Sequence, residues 1–133
     1  MAVAGWLLDK SAASRVSEPV VGQQLAELAG SLFLGPVGEL EQLHSARSAV
    51  DYDWLKADLR GRLDVVDAPP DVLRRALDLQ RDLAHHHGMW HRTPIPDLLI
   101  AETAMYHSLG VLHVDGDFDR ICEVRPLTAR RLG

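Results

Sequence analysis

An α/β class is predicted for this chain: an α/β/α sandwich around a mostly parallel sheet of four to five strands. Two observations carry the prediction. Short apolar runs of strand length recur along the chain, and amphipathic stretches of helical period separate each run from the next. Strands that alternate with helices at this spacing pair in parallel and carry helices on both faces. No repeat, linker or low-complexity segment interrupts the pattern, so all 133 residues (1–133) read as one domain.

Val3 to Leu8 is the first strand, ending at Asp9, and SAASRV opens a helix with Ser11 as its cap. EPVVGQQLAELAGS places Val21, Leu25 and Leu28 at helical spacing and stops at Gly30. LFLGPV (32–37) is the second strand. From Gly38 the period turns helical, through GELEQLHSARS and then DYDWLKADLRGRL, with Trp54, Leu55 and Leu59 assigned to one face. Leu63 to Val66 is a third strand, closed by DAPP. Residues 71–87 form an amphipathic helix with Val72, Leu73, Ala76, Leu77, Leu79 and Leu83 apolar. HHHGMWHRTPIP is a loop, DLLIAETAMYHSLG a helix ended by Gly110, and VLHVD a fourth strand.

Composition narrows the function classes. The apolar runs fall far short of the roughly 20 residues that span a bilayer, so no membrane partner is expected. MAVAGWLLDK lacks a basic leader and reads as a strand rather than a signal peptide. The single cysteine, Cys122, forms no internal disulfide, fits a reducing cytoplasm and is assigned to core packing. A net charge of −5 argues against holding nucleic acid by bulk electrostatics, yet carboxylates gathered around a metal would be offset by the ion itself. Arg125, Arg130 and Arg131 close the chain in a basic cluster of the kind that is usually solvated surface.

The segment HVDGDFDRI sets Asp115, Asp117 and Asp119 at alternate positions behind an apolar run. A calcium loop counted from Asp115 requires Gly sixth and Glu twelfth, where Arg120 and Pro126 stand. A phosphoaspartate phosphatase of the haloacid dehalogenase type needs Thr or Val at position 119 and a large fold beyond it, and neither is present. What survives is a hard-metal site built from distant carboxylates. Asp9 and Asp115 end strands whose carboxyl edge is the ligand edge of an open α/β sheet. Asp97 opens a helix, where the dipole favours an acid. Glu39 and Glu41 begin the helix after strand two. Oxygen ligands of this kind suit Mg²⁺ or Mn²⁺.

LLDKSA (7–12), ELEQLHSARS (39–48), IPDLLIAETA (95–104) and VLHVDGDFDRI (111–121) occur in that order. Together they resemble the PIN-domain toxins of VapBC toxin–antitoxin pairs, the VapC family in its actinobacterial form, from about residue 3 to residue 125. The resemblance implies a single PIN domain and a toxin that hydrolyses RNA phosphodiesters with Mg²⁺ or Mn²⁺. It implies restraint by a cognate VapB-type antitoxin, and homodimers alongside toxin–antitoxin complexes. Matched motif by motif, Asp9, Glu41, Asp97 and Asp115 are the catalytic, metal-holding acids. Asp117 is a fifth member, directly or through water, and Ser11 supports Asp9. Glu39 and Glu41 point about 200° apart on a helix, and the LHSAR register selects Glu41. The alternative is a PIN-like module that binds RNA or an antitoxin without cutting; a DNA-acting or nonspecific nuclease is a third reading.

Other residues receive plainer expectations. Asp119 is surface or capping, His113 packs at the strand edge, and Trp6 and Trp54 pack. His85, His86, His87 and His91 lack the fixed spacing of a soft-metal site. They are candidates to line an RNA path, with Trp90 available to stack on a base.

Overall fold

The computed structural model describes residues 3–86, 88, 90–114 and 117–133, with the Trp90 side chain left aside. In chain order the elements are β1 (Trp6–Leu8), α1 (Lys10–Ala13), α2 (Pro19–Glu27), β2 (Leu32–Leu34), α3 (Pro36–Leu43) and α4 (Ala49–Arg62). There follow β3 (Asp64–Val65), α5 (Val72–His85), a 3₁₀ turn (Trp90–Arg92), α6 (Ile95–Tyr106), β4 (Gly110–His113), α7 (Phe118–Cys122) and β5 (Ala129–Arg131). The strands form one sheet in the order β3-β2-β1-β4-β5, and every pairing is parallel.

Alternation along the strands divides the core in two. Leu7 and Val111 point to the side covered by α5, α6 and α7, where they meet Leu79, Leu83, Ile100, Phe118 and Ile121. Leu8 and Leu112 point to the other side, packing with Ala12, Val21, Leu25, Leu43 and Leu59 from α1 to α4. Burial on both faces is why the strands read as unbroken apolar runs. The chain builds outward from β1 through β2 to β3, then returns to β4 on the opposite flank. The order of strands therefore reverses between β1 and β4, and a crevice opens outside their carboxyl ends.

Several element boundaries differ from the sequence reading, each for a local reason. Strand two stops at Leu34, because Pro36 is better used in the first turn of α3 behind the extended Gly35. Asp9, not Ser11, caps α1. The helix before β4 ends at Tyr106, and Ser108, at φ 58°, makes the left-handed turn assigned to Gly110. Gly110 sits within β4 opposite Trp6, where a Cβ would stand 2.5 Å from the indole ring, so only glycine fits. Consecutive helical positions lie about 100° apart. Trp54 therefore faces solvent, 65% exposed, while Leu59 is buried. Leu73 and Leu77 form an outward stripe on α5 at 69% and 64% exposure.

His113 lies in an interior strand rather than at an edge, its ring 5.2 Å from that of Phe118. Cys122 is exposed, not core, and its thiol donates to the Leu127 carbonyl at 3.3 Å. Arg130 and Arg131 are exposed on β5, and Arg125 pairs with Asp82 at 2.6 Å. Among the described residues, no helix is long and apolar enough to cross a membrane.

Leu79 is fully buried in α5. Leu79→Ala should lower the unfolding free energy by about 2–5 kcal/mol in urea titration. Val50→Ala, on the exposed start of α4, should change it by no more than about 0.5 kcal/mol.

Candidate active site

The site begins where β1 ends. Asp9 leaves the strand in extended conformation, and its backbone N–H donates to the Leu112 carbonyl of β4 at 3.0 Å. Its carboxylate turns back to cap α1, accepting the Ser11 N–H at 3.1 Å and the Ser11 hydroxyl at 2.6 Å. That hydroxyl also accepts the Val114 N–H at 3.0 Å. One serine thus ties the end of β1 to the end of β4 and fixes the orientation of a buried carboxylate.

Two further acids converge on Asp9. Glu41 comes from the middle of α3, and Asp97 from the first turn of α6, which Pro94 and Pro96 initiate. Asp9, Glu41, Asp97 and Asp117 line one hollow of about 360 Å³ together with Lys10, Ser11, Ser14 and the two prolines. Asp97 is only 9% exposed. Burial, then the charge of Asp9, push its carboxyl up to about 7, against a backbone N–H donated by Asp117. Burial and Asp9 likewise raise the Glu41 carboxyl, with Lys10 opposing. Glu41 Oε1 is buried and makes no hydrogen bond among the described residues.

Glu39 takes no part. It points across to α4, where Arg60 grips both oxygens at 2.7 and 2.9 Å and holds the carboxyl below its usual range. An acid already neutralised by a guanidinium is a poor ligand, which separates the two glutamates. Asp117, at the entrance to α7, pairs with Arg120 at 3.3 Å. Arg120 also donates to the Arg92 carbonyl at 2.9 Å, joining that acid to the turn before α6.

The PIN domain family profile matches residues 4–124. A Mycobacterium tuberculosis protein named Ribonuclease VapC17 is 53% identical over 124 residues, 91% of this chain and 90% of that protein. The chain belongs to the VapC family of PIN-domain proteins. Ribonuclease VapC21 of the same species is 39% identical over 121 residues, 90% of this chain and 87% of its own length. Among solved structures, the crystal structure of VapBC2 from Rickettsia felis bound to a DNA fragment from their promoter superposes with a TM-score of 0.76. The two chains share 15% identity, with 96% of this chain and 98% of that chain covered, so this likeness concerns the fold alone.

Of the residues singled out from the sequence for a VapC-family site, Asp9, Ser11, Glu41, Asp97 and Asp117 lie around the hollow. Asp115 lies outside the described residues, as do His87 and the Trp90 side chain named for the RNA path. Among the described residues, no three His, Cys, Asp or Glu side chains stand close enough to share one ion as they are placed. The donor set is nonetheless all carboxylate oxygen, partly desolvated and with one oxygen unpartnered. That chemistry fits a hard divalent cation. Sequence reasoning missed Arg120 and Lys10. The i,i+3 spacing of Asp117 and Arg120 was the available signal for the first.

The raised Asp97 carboxyl has a consequence for stability. An acid with pKa 3.8 when unfolded and about 7 when folded binds more protons in the native state between those values, so stability falls as pH rises through that window. In EDTA, Asp97→Asn should therefore raise the melting temperature at pH 8 and change it little near pH 4. Equal shifts at both pH values would contradict the assigned cause.

Proposed function

We propose that this chain is a divalent-metal-dependent endoribonuclease, the toxin of a VapBC pair, working in the cytoplasm as a single domain of residues 1–133. The observation that carries the reading is the collection of desolvated, mutually repelling carboxylates at the point where the strand order reverses. Burying like charges costs stability, and a fold keeps such an arrangement where a cation offsets it. Its relatives named Ribonuclease VapC17 and VapC21 support the activity.

Asp9, Glu41, Asp97 and Asp115 would hold Mg²⁺ or Mn²⁺, with Asp117 joining directly or through water. When bound, such an ion supplies positive charge for the phosphodiester oxygens and lowers the pKa of water. Ser11 keeps the Asp9 carboxylate aimed at the hollow through its 2.6 Å bond. Asp97, whose carboxyl is raised to about 7, would give up its proton on holding such an ion. Ser, His and Cys nucleophiles are unnecessary in this scheme.

Two apolar surfaces support the assembly partners. A groove of about 480 Å³ between α2 and α4 is walled by Val16, Leu25, Leu55 and Leu59. Val20 and Trp54 are exposed on the same two helices. Such a groove suits an amphipathic helix of a VapB-type antitoxin, and solved relatives include VapBC complexes. Leu73, Leu77 and Ile95 form a second exposed patch where α5 meets α6, the candidate homodimer face.

Purified protein free of antitoxin, incubated with total cellular RNA, should cleave it with Mg²⁺ or Mn²⁺ and not with EDTA. Asp9→Asn and Asp97→Asn should each reduce the rate at least about a hundredfold, beyond what loss of an outer supporting group usually costs. Wild type that leaves RNA intact, or variants that cut equally well, would leave a binding module; preference for DNA in competition would reassign the substrate.

Leu77→Asp should convert a dimer to a monomer in light scattering after size exclusion. A wild-type monomer, or an unaffected dimer, would remove the α5–α6 patch as the dimer face.

A further inference from the structure

Beside the acidic hollow lies a second one, of about 400 Å³, and the two share Lys10, Glu41 and Pro96. The second is walled by Val37, Leu40 and Pro96, with His44. Val37, Leu40 and Glu41 on α3 and His44 at its C-cap fall at three- and four-residue spacings and so form one stripe. Leu40 is 67% exposed, although the core at this helix is already filled by Leu43. A large apolar side chain held in water next to a catalytic cleft has packing surface to offer and no intramolecular use for it.

We propose that this second hollow is the subsite for the nucleotide next to the scissile phosphate of single-stranded RNA, its base lying on Leu40, Val37 and Pro96 and its phosphate on the Lys10 ammonium. The proposal deepens the ribonuclease reading and rests on it. Two features select a nucleotide. The hollow shares three wall residues with the acidic one, so it is within reach of the unit next to a phosphate held there. Lys10 is also the Lys or Arg side chain among the described residues that line either hollow. An ammonium at the junction attracts the phosphodiester that the surrounding carboxylates repel. An apolar wall accepts the face of any base.

The test uses the full chain free of antitoxin and fluorescein-labelled single-stranded RNA of random sequence. Affinity is read by anisotropy in Ca²⁺ across a salt series, and the ends of products formed in Mn²⁺ are sequenced. Leu40→Ser should weaken binding about fivefold, the loss of a modest apolar contact, and erase the base preference at one position flanking the cut. Leu40→Trp should tighten binding and change that preference. Lys10→Gln should reduce the log–log salt slope by about 0.7, the loss of one phosphate contact on a single strand. If wild type does not cut RNA, the nuclease reading fails and this subsite with it. If wild type cuts, and Leu40→Ser retains normal affinity and base preference, the subsite alone is overturned. Loss of antitoxin inhibition by Leu40→Ser with RNA binding intact would likewise overturn it, assigning the hollow to the protein partner.

Discussion

Like charges brought out of water together are the constraint on which this molecule turns. Asp9, Glu41 and Asp97 come from three elements and meet in one hollow, where burial and Asp9 raise the other two carboxyls. The rest of the fold can be read as the apparatus that enforces this meeting. The parallel pairing of β1 with β4, in register from Trp6 opposite Gly110 to Leu8 opposite Leu112, brings two strand ends level. Ser11 locks them with one hydroxyl that donates to Asp9 and accepts from Val114. Proline-initiated helices then bring Glu41 and Asp97 to the same edge.

The energetics favour function over stability at this edge. Two apolar layers, one on each face of the sheet, supply the stabilisation. The acids draw on it, because each desolvated carboxyl disfavours the folded state at neutral pH until a cation or a proton offsets it. Arg60 and Arg120 show the alternative treatment of an acid in this chain. Glu39 and Asp117 each pair with a guanidinium, at 2.7 and 3.3 Å. Glu41 and Asp97 have no such partner among the described ion pairs, so their charge is not offset in this way.

Much of this was legible in the sequence because it depends on local pattern. Strand-length apolar runs separated by helical stretches gave the parallel sheet, and the four acidic motifs carried the family resemblance that the 53% identity with VapC17 bears out. Helical angle said that only one of Glu39 and Glu41 could face the site, and the LHSAR register of the family motif selected Glu41. What the sequence withheld depends on partners distant in the chain. That Arg60 would occupy Glu39, or that the Ser11 hydroxyl supporting Asp9 would also accept from Val114, is decided across 21 and 103 residues of separation. Trp54, Leu73 and Leu77 misled for a related reason. Apolar periodicity marks a surface that wants covering, and it does not say whether the cover is the chain's own core or another molecule.

The claim that these carboxylates form one cation site is tested most directly by counting the protons released when Mn²⁺ binds. Calorimetric titration in buffers of different ionisation enthalpy gives that count. Asp97 holds its proton up to about pH 7 without metal, and a ligand must lose its proton. Binding near pH 6 should therefore release about one proton, fewer at pH 8, and Asp97→Asn should abolish the release. Absence of Mn²⁺ binding, or a proton count that is independent of pH and of Asp97, would contradict the account.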